Sequence, residues 1–158
     1  LHDTAAKPES PLNLIKNKRG DVYCFALLYT ALLRAAGIPA LTDCGVLVDR
    51  DLHTRNHWWC EFYLHGVGWI PVDPSLGAGL SYEGWGETGD ARTYYFSNLD
   101  SQHITFSRGI NDLKPGAGNT KIVQHPRGYA LQSVWEESSQ GTVQYSSFWA
   151  DPAILGVY

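Results

Sequence analysis

Gly20-Asp21-Val22-Tyr23-Cys24-Phe25-Ala26-Leu27-Leu28-Tyr29-Thr30-Ala31-Leu32-Leu33-Arg34-Ala35-Ala36-Gly37-Ile38-Pro39-Ala40 reads as a capped helix running into a strand. Asp21 suits the cap position, where a short carboxylate accepts from backbone N–H groups that have no helical partner. From Val22 to Ala36, residues Val22, Phe25, Ala26, Tyr29 and Leu33 recur at helical spacing, with Leu28, Leu32 and Ala35 beside them. That breadth of apolar surface predicts a helix buried nearly all round. Gly37 is a natural stop, and Pro39 forbids continuation.

The rest of the chain follows from this helix. Ser10-Pro11 opens a shorter helix through about Lys16, since proline is favoured at the first helical position. Ala40 to Val48 and His57 to Leu64 are rich in β-branched or aromatic residues and predict strands, with a polar loop from Asp49 to Asn56. Trp69 to Val72 predicts a third strand after the turn at His65-Gly66. Residues 74–91 hold five glycines and predict a long surface loop. Further strands are expected near 102–107, 120–125, 129–136 and 141–148. Helices first and antiparallel strands after is the α+β pattern, here a buried helix packed on an antiparallel sheet.

A chain of 158 residues supports one core, and 44% apolar with 18% charged residues excludes a disordered chain. The formal charge of −4 argues against nucleic acid, because the one basic cluster, Lys16-Asn17-Lys18-Arg19, is too short to track phosphates. No apolar run approaches the roughly 20 residues a membrane span needs. There is no methionine, so the chain is expected to be a piece of a longer protein. Three cysteines are too few for a disulfide framework; Cys44 and Cys60, on neighbouring strands, could pair but suit small packed side chains as well.

Three residue types point to chemistry. A thiol at a helix start, Cys24, is placed where the helix dipole lowers its pKa. His57 leads His57-Trp58-Trp59-Cys60-Glu61, with His57, Trp59 and Glu61 on one face of a strand. Asp73 ends Gly68-Trp69-Ile70-Pro71-Val72-Asp73-Pro74 and is suited to orient an imidazole. Thiol, imidazole and carboxylate together are the requirement for amide acyl transfer. Each also has a plain reading: an inert buried thiol, an ordinary polar contact, and a turn former before proline. Glu61 reads as structural support and Arg34 as a helix-end residue satisfying local carbonyls. His2, His53, His65, His103 and His125 carry no spacing argument.

The three blocks, arriving in this order, resemble the transglutaminase-like domains of the papain-like superfamily, bacterial type. In these a cysteine opens the helix that Arg34-Ala35-Ala36-Gly37-Ile38-Pro39-Ala40 closes here. Residues 94–110 are similar to the tail of bacterial members. The resemblance implies a papain-like α+β core over about residues 12–110 of a single domain 1–158, with a β-rich extension at 111–158. It further implies Cys-dependent amide transfer or hydrolysis and a bacterial periplasmic or secreted setting.

One departure matters. The family nucleophile stands twelve residues before the helix arginine and four before a small alanine; from Arg34 and Ala26 both counts reach Val22. Cys24 lies two positions further on, and two steps turn a helical side chain by about 200°. The expected reading is therefore a silent domain, with Val22 at the nucleophile position, serving as a structural module or holding a peptide or protein in its cleft. Two alternatives stand beside it. An active thiol acyltransferase or peptidase would use Cys24, His57 and Asp73. A carbohydrate or cell-surface binding module would use the six tryptophans and nine tyrosines. No cofactor is expected. No metal is expected either, since His57, Cys60, Cys44 and Cys24 lack structural zinc spacing. Gly77-Ala78-Gly79 is too incomplete for a nucleotide loop.

Overall fold

The computed structural model describes residues 11–85, 89–110, 121–124, 134–137 and 152–156. Helix α1 (Pro11–Asn17) begins on the proline and buries Leu14. Lys18 then takes a positive φ of 54°, which breaks the helical path. Helix α2 (Val22–Ala35) starts where Asp21 caps it, the carboxylate accepting from the Cys24 amide at 2.8 Å. At its far end Gly37 adopts φ 79°. Ile38 N–H then reaches Leu33 O and Gly37 N–H reaches Arg34 O, a left-handed stop that few residues but glycine make cheaply. Arg34 Nε donates to Ala40 O at 2.7 Å and ties this helix end to the first strand.

Strands β1 (Ala40–Val48), β2 (Thr54–Leu64), β3 (Gly68–Val72) and β4 (His103–Arg108) form one antiparallel sheet in the order β3-β2-β1-β4. Helices and this sheet make the α+β class. β2 begins three residues before the predicted His57, because Asp49 closes the preceding turn tightly: its Oδ1 accepts from the Asp51 and His53 amides. The predicted loop 74–91 is partly helical. Asp73 caps a short helix α3 (Pro74–Gly77), and α4 (Ala91–Tyr94) begins at its other end. The glycine count hid α3, whose Ser75 and Leu76 are buried. Strands β5 (Lys121–Gln124) and β6 (Val134–Glu137) pair separately; residues 129–133 of the expected strand 129–136 and the whole expected strand 141–148 lie outside the described residues.

Helix α2 covers one face of the sheet. Ala26 packs with Cys44 and Trp58, Tyr23 meets the Trp58 ring edge-on at 4.7 Å, and the Thr30 and Thr42 hydroxyls bond at 3.0 Å. Burial is concentrated at Cys24, Ala26 and Thr30; toward the C-terminal end Leu32 is 58% exposed, so the helix is not enclosed all round. On the opposite face Leu47 packs with Leu76 and Tyr95. No disulfide joins the three cysteines. Among the described residues no helix is long and apolar enough to cross a membrane.

Candidate functional site

Side chains alternate along a strand, so Trp58 and Cys60 turn toward α2 while His57 and Trp59 turn to the other face. His57 Nε2 meets Asp73 Oδ2 at 2.5 Å. The same oxygen meets Nε2 of His103, the first residue of β4, at 3.1 Å. His103 is brought there by antiparallel pairing with β1, where it stands opposite Leu47. Its Nδ1 faces Asp100 Oδ1 at 2.7 Å, and Tyr95 donates its hydroxyl to the other Asp100 oxygen. The Trp59 ring stacks on His57 at 6.0 Å and meets His103 edge-on at 5.3 Å, walling the group from solvent.

Asp73 is held from both sides. Oδ1 accepts from Ser75 N–H, Ser75 Oγ and Leu76 N–H, the unpaired donors of the α3 start. Oδ2 is thereby aimed at the two imidazoles. Burial opposes the charge on Asp73, but His57 and His103 outweigh it and hold the carboxyl well below the usual range. Burial likewise opposes charge on His103, yet its hydrogen bonds to Asp100 and Asp73 raise its pKa. Both of its ring nitrogens face carboxylate oxygens, an arrangement that favours the protonated ring.

Among the described residues, the metal-ligating side chains whose atoms lie within 4.8 Å of one another are His57, Asp73 and His103. Cys24 is 2% exposed, and its Cβ lies 3.0 Å from where a Cβ on Gly20 would stand, with Leu14 close by. Val22 packs against the Ala26, Cys44 and Trp58 cluster. Cys60 bonds Val72 O at 3.5 Å, and burial followed by the nearby Asp73 charge pushes its thiol far up. Glu61 pairs with Arg108 on the sheet surface. Of the sequence-derived residues, the fold brings His57 and Asp73 together, and Cys24 is not in the group they form with His103.

His103 and Asp100 escaped the sequence reading. Their only local mark is an Asp-x-x-His at the head of a predicted strand, a pattern too common to carry weight. Beside the cluster, an apolar cavity of about 360 Å³ opens between α2 and the α3–α4 segment. Phe25, Leu28, Tyr29 and Leu32 line it from one side and Phe96 from the other; Asp73 is its link to the imidazoles, and Arg92 adds a cation.

Helix α2 thus lies on an antiparallel sheet, with a buried pair formed by His57 of β2 and Asp73 at the end of β3. A comparison with protein families matches residues 2–74 to the transglutaminase-like superfamily, a stretch that includes α1 to β3 and ends just past Asp73. The sequence resemblance is shown over that stretch, and the α+β fold is consistent with it. His103 and Asp100 lie beyond it. Neither the curated proteins nor the solved structures compared with the chain gave a match.

Proposed function

We propose that this transglutaminase-like domain has lost thiol-dependent acyl transfer and works as a binding module. One observation supports the reading: among the described residues the ligand atoms that cluster with His57 and Asp73 come from His103 and from no cysteine, and Val22, which the resemblance puts at the nucleophile position, packs into an apolar cluster. Without a thiolate the imidazole has no nucleophile to activate, and loss of the nucleophile in a comparable triad costs about a million-fold in turnover. The cavity beside Asp73, apolar with one cation and one carboxylate at its wall, suits an apolar peptide side chain with a polar flank.

Sugar binding has less support. Trp58 and Trp59 are core residues, and exposed Trp69 is already occupied by Tyr63 at 5.6 Å and by the Arg108 guanidinium over its ring at 5.7 Å. The test is iodoacetamide labelling at pH 6, read peptide by peptide. A thiol of ordinary pKa is only about 0.3% thiolate at that pH, so an activated one labels on the order of a hundredfold faster. Cys24 is expected to label slowly and at the same rate in His57→Ala. Fast labelling of Cys24 that His57→Ala abolishes would restore the enzyme reading.

A further inference from the structure

We propose that His57, Asp73 and His103 form a mononuclear site for a divalent first-row transition cation. The ligand atoms would be Nε2 of each histidine and Oδ2 of the aspartate, which already converge within 4.8 Å of one another. Around a tetrahedral ion with ligands about 2.1 Å away, neighbouring ligand atoms stand roughly 3.4 Å apart. The His103–Asp73 separation of 3.1 Å is close to that value. The His57 nitrogen, at 2.5 Å, needs to back away by roughly 0.9 Å. The ion takes the place of the protons now shared between Oδ2 and the two imidazoles.

Three features favour a built site over a hydrogen-bonded knot. First, two of the three ligands are braced on their far side. His103 Nδ1 is held by Asp100, and Asp73 Oδ1 is held by Ser75 and Leu76. Carboxylate behind histidine and donors behind carboxylate are the outer partners that orient metal ligands. Second, the charges close: a dication against Asp73 and Asp100, with neutral imidazoles, leaves no net charge where burial makes charge costly. Third, two nitrogens and one oxygen select zinc-like ions over calcium or magnesium, which prefer all-oxygen sites. With three protein ligands, one position stays open. The ion would pin β2, β4 and the start of α3 together.

The inference rests on the preceding reading only in taking His57 as not engaged with a thiol, and the labelling assay decides that separately. The experiment uses the chain stripped with a chelator, then titrated with zinc against a chromophoric competitor and with cobalt(II) in the visible range. One ion per chain is expected, with cobalt ligand-field bands and no thiolate charge-transfer band, and a melting temperature that rises with zinc concentration. His103→Gln should lose stoichiometric binding, Asp100→Asn should weaken it about 10–100-fold, and the exposed, remote His65→Gln should bind as the parent does. No stoichiometric ion in the parent chain, a thiolate band, or unchanged binding in His103→Gln each overturns the site. Should His103→Gln fail to fold, the parent spectrum and Asp100→Asn decide.

Discussion

Asp43 offers the sharpest test of the energetics. It stands on β1 with 1% exposure, and neither carboxylate oxygen has a hydrogen-bond partner among the described residues. Burial first, then the Glu61 charge, raise its pKa from 3.8 to about 7, although Arg108 Nε at 4.0 Å works the other way. Between those two values the unfolded chain is ionised while the fold keeps its proton, so the fold binds more protons and loses stability as pH rises. The loss begins near pH 4, is complete by about pH 7 and is flat above. At about 1.4 kcal/mol per unit, the upper limit is about 4 kcal/mol; water screens the charge of Glu61, whose side chain is 22% exposed, and reduces it to about 2–3 kcal/mol. Asp43→Asn removes the titration but leaves a buried amide, whose unpaired groups cost a pH-independent amount of about 1–3 kcal/mol. The absolute stabilities of the two proteins are therefore a poor guide, and their difference as a function of pH is the measurement. Urea unfolding followed by tryptophan fluorescence at pH 4.5, 5.5, 6.5 and 7.5 should show the variant gaining on the parent by about 2–3 kcal/mol across the series. Parallel curves, or a parent that gains on the variant as pH rises, would refute the reasoning.

Other outcomes follow from single positions. Gly45→Ala sets a Cβ 1.8 Å from Ile104 O, a backbone atom that cannot swing aside, so β4 must part from β1. A loss of about 1–3 kcal/mol is expected, with disturbance at neighbouring His103; a change in urea midpoint too small to measure would mean the two strands do not approach so closely. Asp73→Ala removes the acceptor of five hydrogen bonds, leaves buried His57 without its carboxylate and leaves His103 with Asp100 alone. We expect a loss of about 3–5 kcal/mol, seen as a fall in melting temperature of roughly 6–20 °C for a chain of this size. A fall of under two degrees would show that the cluster is not a structural hub.

Much of the framework was legible because its signals are local. The Asp21 cap, the Gly37 stop and the apolar spacing between them mark α2, and alternating aromatic and β-branched residues mark β1 to β3. Short α3 was not legible, since four residues carry no periodicity and the glycines around them read as loop. The cap that makes it possible, Asp73, was singled out for a different role. The β1–β4 register, with its shift between Cys44 and Gly45, has no local mark at all.

The order of helix and strands, the capped ends of α2 and the two-residue offset between Val22 and Cys24 belong to the sequence alone, because each depends on neighbours within a turn or a strand. The union of His103 with Asp73, thirty positions apart, belongs to the tertiary structure. So does the buried Asp43 carboxylate, which is exceptional only because its pairing with β2 and β4 takes it out of water and sets it beside Glu61 and Arg108. Spacing fixes which way a side chain turns from its own backbone. Only long-range pairing decides what it meets, and a buried charge takes its pKa from what it meets.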